Sequence, residues 1–161
     1  MIERLKILFL AWASVFLQSS VVGLAGIWGM VPDLSAVVVV WQGLTRGPLT
    51  GIQVGALCGF LADCYRPASM GLFTLSGILC GYLAGSLRER IYREQLFSQV
   101  ALVSLMALLR HPFELWGRTA SPWGGYPHFL IRYGLGGAVY TGIVAAVVLP
   151  WLNQWVRPRA K

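Results

Sequence analysis

Charged residues are scarce in this chain, and their scarcity excludes most classes of soluble protein. Of its 161 residues only 12% are charged and 57% are hydrophobic, whereas ordinary soluble domains carry about 25% charged residues. No stretch is long or polar enough to form a soluble domain of its own. Several apolar runs approach the roughly 20 residues that cross a hydrocarbon core. The composition therefore predicts an all-α polytopic membrane protein with a single domain over residues 1–161.

Groups that perform catalysis or bind metals are equally few. The chain has two histidines and three cysteines, Cys58, Cys64 and Cys80, and the cysteine spacing fits neither a disulfide framework nor a metal site. The motifs H-E-x-x-H and G-x-S-x-G are absent from the sequence, and no serine lies beside a lysine as a nucleophile and base. We therefore expect no enzymatic activity, no cofactor and no metal site.

The net charge of +7 raises the question of nucleic acid as a partner. The basic residues form short clusters between apolar runs, where the positive-inside rule places them, and no basic face with interleaved aromatic residues exists. Membrane topology explains the charge, so nucleic acid is not expected to bind. The apolar run that follows Arg4 and Lys6 continues to about Ile27 without a cleavage site, which predicts a retained first helix and not a signal peptide.

Six apolar segments are predicted to be transmembrane helices, and the second and third are short. A turn at residues 45–48 separates these two. The valine run Val37–Val40 would favour a strand in water, but an open strand in lipid would leave its backbone unpaired, so a helix is predicted. The six segments cover approximately residues 5–27, 34–44, 49–62, 70–87, 96–109 and 129–152.

The distribution of arginine and lysine favours two crossings, and not one, for the short pair of segments. A single crossing would strand Arg46 in the membrane and leave six basic residues on each side. Two crossings place both termini in the cytoplasm, with four basic residues outside, namely Arg66, Arg110, Arg118 and Arg132. The nine then inside are Arg4, Lys6, Arg46, Arg88, Arg90, Arg93, Arg157, Arg159 and Lys161.

Glycine recurs at every fourth residue in the third and fourth segments. This spacing places the glycines on one helical face, where the absence of side chains lets two helices approach closely. The face is predicted either to pack against a helix of this chain or to receive a helix from another protein. Its members are Gly47, Gly51, Gly55, Gly59, Gly77, Gly81 and Gly85.

Two aspartates, Asp33 and Asp63, lie near the outer ends of their predicted segments and are expected to be structural anchors. Asp33 is placed to cap the first turn of the second segment, and Asp63 is expected to accept hydrogen bonds or to pair with Arg66. The alternatives are a cation or proton site shared by the two carboxylates, or a contact with a partner. A second possible ion pair joins Arg110 to Glu114, four residues on. Pro32, Arg46 and Pro48 complete the set of expected anchors.

Several short motifs follow one another in a set order along the chain. They include Pro32-Asp33-Leu34, Arg46-Gly47-Pro48 before a glycine-rich run, and Gly59-Phe60-Leu61-Ala62-Asp63. A Pro-x-x-x-Gly from Pro67 to Gly71, and residues 81–85 before a run of arginines, continue the series. In order and spacing these motifs resemble the MreD family, the rod shape-determining membrane proteins of bacteria. Over residues 30–94 the resemblance rests on motifs, and elsewhere on hydropathy and length.

The resemblance implies a non-enzymatic partner of MreC in the cytoplasmic (inner) membrane. Such a protein acts with MreB, RodA and a class B penicillin-binding protein in the elongation machinery that directs side-wall peptidoglycan synthesis. It also implies a six-helix fold similar to the substrate-binding subunits of energy-coupling-factor transporters. We expect the single-pass helix of MreC to pack on this domain and its extracytoplasmic part to meet the outer loop from Trp116 to Tyr126.

A small-molecule-binding subunit of a transporter is the alternative function. Those subunits typically dock their partner through an Ala-x-x-x-Ala pair in the first helix. Here the corresponding positions are Ala11 and Val15, so the pair is incomplete and the alternative is less favoured.

Overall fold

Six α-helices follow one another along the residues that a computed structural model of the chain describes, which are 2–20, 32–65, 70–89, 95–118 and 134–156. No strand occurs among these residues, so the predicted all-α class is confirmed. The helices are α1 (Ile2–Ser20), α2 (Leu34–Arg46), α3 (Pro48–Tyr65), α4 (Leu72–Ser86), α5 (Leu96–Arg118) and α6 (Gly136–Val156), with a 3₁₀ turn at Leu87–Glu89 after α4.

Helix α2 is the centre of the molecule, because it packs against each of the other five helices. Ten consecutive residues, from Ser35 to Leu44, are buried. A helix that is apolar on every side can be stable only when neighbours enclose it. The valine run Val37–Val40 lies in this helix, as predicted, and together with Trp41 it forms the middle of the hydrophobic core.

A single residue, Gly47, separates α2 from α3. Its backbone has φ of +100°, a conformation that residues with a side chain rarely adopt. Its N–H donates to the carbonyl oxygen of Gly43 at 2.9 Å and so closes the last turn of α2. Pro48 then begins α3, where a proline costs no hydrogen bond because the first N–H groups of a helix have no partner within it. The predicted turn is therefore present and tighter than expected.

Two predicted segments differ in extent from the structure. Helix α3 has 18 residues, so the prediction that the third segment is short was wrong, and the short helices are α2 with 13 residues and α4 with 15. Helix α5 continues through Pro112 to Arg118 and does not end at residue 109, because packed membrane helices tolerate the carbonyl that a proline leaves unbonded. The predicted stretches 21–27 and 129–133 lie outside the described residues.

The outward surfaces of the helices carry large apolar side chains. Leu105 of α5 and Val139, Ile143 and Val147 of α6 are all about half exposed or more. Two of the described helices are long and apolar enough to cross a membrane, at Leu96–Phe113 and Gly136–Gln154, and α1 contains a shorter apolar stretch at Leu8–Ser20. Apolar surfaces of this kind are typical of helices in contact with lipid.

Candidate functional site

Glycines line both sides of the contact between α3 and α4. A Cβ atom built on Gly55 would overlap the carbonyl oxygen of Gly77, and one built on Gly77 would overlap the carbonyl oxygen of Gly55. In the same way, a Cβ atom built on Gly51 would overlap the carbonyl oxygen of Gly81, and one built on Gly81 would overlap the carbonyl oxygen of Gly51. Each step of four residues forward along α3 meets a step of four residues back along α4, because the two helices run antiparallel and both have glycine at four-residue spacing. The predicted packing face therefore closes within this chain.

The two ends of this contact involve other partners. A Cβ on Gly59 would overlap the backbone of Phe73 and Thr74, while one on Gly85 would overlap the backbone of Pro48. We refer to the six glycines Gly51, Gly55, Gly59, Gly77, Gly81 and Gly85 as the glycine seam. Gly47, which was predicted to belong to this face, instead makes the turn before α3, and its missing side chain leaves room for the Arg88 guanidinium group.

Gly43 of α2 extends the close approach to a third helix. A Cβ at this position would lie 3.0 Å from the Gly85 nitrogen and 3.1 Å from the Gly81 carbonyl oxygen. Gly43 was not predicted to belong to the face although it precedes Gly47 by four residues. Three backbones therefore meet at one end of the seam, with the Ala84 Cβ atom beside them.

Asp63 joins α3 to the first turn of α4. Its Oδ1 accepts from the Phe73 backbone N–H at 3.2 Å, and its Oδ2 accepts from the Thr74 N–H at 3.0 Å and from the Thr74 hydroxyl at 2.6 Å. The first N–H groups of a helix need such acceptors, and here the acceptor comes from a neighbouring helix because Gly71, at the N-cap position, has no side chain to offer. Asp63 is only 2% exposed.

Asp33 performs two structural tasks at the start of α2. Its Oδ1 accepts from the Ala36 N–H at 3.0 Å and from the Ser35 hydroxyl at 2.7 Å, which confirms the predicted cap. Its Oδ2 lies 2.8 Å from Nη1 of Arg110 in a largely buried salt bridge. The backbone N–H of Asp33 donates to the Thr141 hydroxyl at 3.0 Å. One residue therefore holds α2, α5 and α6 together.

Arg110 also belongs to this site, and its bond to Asp33 was not predicted from the sequence. Its Nη1 also donates to the Ser35 hydroxyl at 2.7 Å, and its guanidinium carbon lies 6.0 Å from the centre of the Phe73 ring. The signal in the sequence was a lone arginine after fifteen residues without charge, a pattern that marks a functional or structural ion pair in a membrane helix. The sequence offered Glu114 only as a possible partner of Arg110, and the Glu114 side chain lies outside the described part.

The two aspartates lie at the same end of the bundle, as predicted, but they have separate partners. Asp33 binds Arg110, and Asp63 binds the backbone of α4, so neither carboxylate is held by the other. Phe73 connects them, since its N–H donates to Asp63 and its ring faces Arg110. The contacts support structural anchors and not a shared cation site. Arg66, the alternative partner of Asp63, lies outside the described residues.

The remaining expected anchors have modest roles. Pro32 is buried directly before the Asp33 cap, and Pro48 is exposed at the first position of α3. Arg46 lies in the last turn of α2, where a positive charge interacts favourably with the helix dipole.

A second polar chain links three helices near the opposite end of the molecule. The indole N–H of Trp41 donates to the Asn153 side chain at 2.8 Å, and the Asn153 amide donates to the side-chain oxygen of Gln99 at 3.3 Å. These side chains come from α2, α6 and α5. Buried hydrogen bonds of this kind join helices in a medium that offers no water.

The described polar side chains of the site are engaged in bonds that join helices. In the part of the chain that the structure describes, no group of three or more His, Cys, Asp or Glu side chains is placed to hold a metal ion. The buried carboxylates that are described have partners in helix caps and in the Arg110 salt bridge. The fold and the site define an all-helical protein of membrane type in which polar groups join helices.

The comparison with known families agrees with this class. The chain matches the family described as rod shape-determining protein MreD over residues 3–157. This match covers nearly the whole chain, and the chain therefore belongs to the MreD family. Members of this family are shape-determining membrane proteins, and the family is not a known enzyme family. No curated protein and no solved structure matches the chain.

Proposed function

We propose that this protein is a non-enzymatic membrane subunit of the bacterial elongation machinery that binds MreC and helps to direct side-wall peptidoglycan synthesis. The observation that carries the proposal is the family match over residues 3–157, which assigns a role in rod-shape determination. MreB, RodA and a class B penicillin-binding protein are the further partners within the same machinery.

The internal contacts support a scaffold role. The salt bridge between Asp33 and Arg110, the cap from Asp63 and the glycine seam all join helices of this chain to one another. A scaffold needs a fixed shape, and side chains held by buried hydrogen bonds and close backbone packing provide one. The surfaces left for partners are then the outward faces of the helices and the loops.

We further propose that the protein crosses the cytoplasmic membrane six times with both termini inside. The two long apolar helices and the exposed apolar surface of α1 support a membrane location, and the excess of basic residues on one side supports the orientation. The likeness to the substrate-binding subunits of energy-coupling-factor transporters belongs to the same proposal and is supported by the six helices and by the short α2.

The transporter subunit is less well supported as an alternative. Ala11 and Val15, at the positions where such subunits carry their docking pair, are both buried in the hydrophobic core. The Cys58 thiol of α3 lies 3.9 Å from the Ala11 carbonyl oxygen, so α3 covers this face of α1 within the chain.

Recovery of MreC tests the proposal. We expect full-length MreC, produced together with the tagged chain, to be retained when the chain is purified from detergent-solubilised membranes. An unrelated single-pass protein produced at the same level is the control and should be lost. The proposal also predicts that the chain restores rod shape to a rod-shaped bacterium lacking its own MreD-family protein. Loss of MreC during purification together with persistently round cells would contradict it.

A further inference from the structure

Helix α3 begins without a cap from a side chain. Gly47, directly before its first residue, has no side chain to accept a hydrogen bond, and Pro48 has no N–H to donate. The Gly51 N–H donates to the Gly47 carbonyl oxygen at 3.1 Å. The N–H groups of Leu49 and Thr50 therefore lack an acceptor in the described part of the chain. Such N–H groups, together with the helix dipole, favour an anion at a helix start.

The starts of α2 and α4 differ from the start of α3, because the chain itself supplies an anion to each of them. Asp33 caps α2, and Asp63 of α3 accepts from the first turn of α4. At the start of α3 the nearest described charge is instead an arginine. A positive side chain beside a helix N-terminus is unfavourable, since both are positive, unless an anion lies between them.

Arg88 is the arginine at this helix start. It follows α4 in the turn Leu87–Glu89, and close packing of Gly85 on the Pro48 backbone brings the end of α4 to this place. Its Nη1 lies 3.2 Å from the position of a Cβ atom built on Gly47. Its Nε is buried without a hydrogen-bond partner, and no carboxylate of the described residues pairs with it. A buried donor on a charged group is costly to leave unpaired, so an acceptor from outside the chain would stabilise this position.

The start of α3 is open to a ligand at the membrane surface. The side chains of Arg46, Thr50 and Arg88 are each partly exposed. Apolar neighbours are exposed as well, Leu49 by 74% and Tyr82 of α4 by 50%. The proposed topology places this end of α3 at the cytoplasmic surface, where headgroups adjoin acyl chains. Basic groups beside exposed apolar side chains match a lipid that carries a negative headgroup.

We propose that the start of α3 and the Arg88 guanidinium group bind the phosphate of an anionic phospholipid. The phosphate accepts from the Leu49 and Thr50 N–H groups and from Arg88, and Arg46, at the end of α2, adds a second positive charge. The inference goes beyond the proposed function, because the ligand at this end of the molecule is a lipid and not a protein.

Lipid retention by the purified full chain tests the site. The chain is reconstituted in nanodiscs that contain phosphatidylglycerol and phosphatidylcholine in equal amounts. It is then released into detergent, and native mass spectrometry measures the lipids that stay bound. We expect the wild-type chain to retain phosphatidylglycerol about tenfold over phosphatidylcholine, and Arg88→Gln to retain the two about equally.

Lys6→Gln is the matched control, because it makes the same change in net charge in α1. It should keep the wild-type preference. Equal retention of the two lipids by the wild-type chain, or the same loss with Lys6→Gln as with Arg88→Gln, would overturn the site.

Leu49→Asp gives a second readout that does not depend on Arg88. The new carboxylate supplies an acceptor in the first turn of α3 and repels phosphate, so the lipid preference should be lost while the unfolding temperature stays the same or rises. Leu49→Asn, which adds no charge, should keep most of the preference. A wild-type preference in Leu49→Asp, folded as the thermal measurement shows, would refute the inference.

Excess inorganic phosphate distinguishes a lipid from a free anion. We expect it to leave phosphatidylglycerol bound, because the acyl chains also contact the exposed apolar side chains. Complete displacement would show that the site takes free phosphate, and the lipid assignment would be wrong. MreC is absent from these measurements, so failure to recover MreC contradicts the proposed function alone, and loss of the lipid preference contradicts this inference alone.

Discussion

At the scale of single residues, Asp63 shows how a buried carboxylate can serve as a helix cap. It satisfies two backbone N–H groups and a hydroxyl at the start of α4. These donors are buried within the helix packing, so each needs an acceptor that water would otherwise provide. The cap accounts for the burial of this aspartate without any ion or proton.

Substitutions at Asp63 separate hydrogen bonding from charge. Asp63→Leu leaves the Phe73 and Thr74 donors without an acceptor and should cost about 1–3 kcal/mol of unfolding free energy. Asp63→Asn keeps one acceptor oxygen and should cost about half as much. Reversible denaturation of the purified protein in mixed micelles measures both values, and Thr74→Val, which removes only the hydroxyl, is the control for the smallest loss. Equal, severe losses for the Asn and Leu variants would show that the charge itself is required.

The salt bridge between Asp33 and Arg110 predicts non-additive effects. Arg110→Met strands the Asp33 charge in a largely buried position and should cost about 3–5 kcal/mol. Adding Asp33→Asn removes the stranded charge while retaining an acceptor for the helix cap, so the double variant should recover about 1 kcal/mol or more of that loss. A double-mutant cycle of unfolding free energies in mixed micelles checks the coupling. Additive losses would mean that the two side chains stabilise the fold independently.

At the scale of helices, the glycine seam determines how closely α3 and α4 approach. Gly55→Ala places a Cβ against the Gly77 carbonyl group, and we expect a cost of about 1–3 kcal/mol because backbone atoms must move apart. Gly55→Leu and Gly59→Leu should prevent stable packing. Gly137→Ala in α6 is the matched control, because its nearest contact would be His111 Cε1 at 4.0 Å.

We expect Gly137→Ala to be neutral or to stabilise the protein by up to about 1 kcal/mol, because alanine favours a helix more than glycine does. Thermal unfolding of both alanine variants in the same detergent makes the comparison. Identical behaviour at positions 55 and 137 would argue against close packing at the seam.

The helices themselves were largely predictable from the sequence, and their partners were not. Short-range signals such as Pro48 at a helix start and the four-residue glycine spacing act within one or two turns, so a pattern in the chain reveals them. The bond between Asp33 and Arg110 joins residues 77 positions apart, and no local pattern encodes it. The end of α5 was predicted too early, before Pro112, because the effect of a proline depends on whether neighbouring helices can accommodate a kink.

At the scale of the whole molecule, helix α3 offers a direct test of orientation in the membrane. Leu49 is exposed at its start, native Cys64 is exposed near its end, and the other two thiols, on Cys58 and Cys80, are buried. In the proposed topology a membrane-impermeant maleimide added to spheroplasts labels Cys64 in the native chain. The variant Leu49→Cys combined with Cys64→Ser should escape labelling from outside.

Inside-out vesicles serve as the control and should reverse the labelling pattern. Labelling of the Leu49→Cys variant from the outer side, with native Cys64 protected, would invert the orientation and place Arg46 outside. Labelling of neither thiol in either preparation would be incompatible with α3 as a helix that crosses the membrane from one surface to the other.

The repeat that allows α3 and α4 to pack so closely also leaves their alignment ambiguous. As observed, two glycine pairs of the seam are in register, at 51 with 81 and 55 with 77. Sliding α4 by four residues, about 6 Å along the axis, would match three pairs, at 51 with 85, 55 with 81 and 59 with 77. The glycine spacing alone would therefore permit a second alignment of the two helices. Asp63 excludes that alignment, because its bonds of about 3 Å to Phe73 and Thr74 cannot survive a slip of that size.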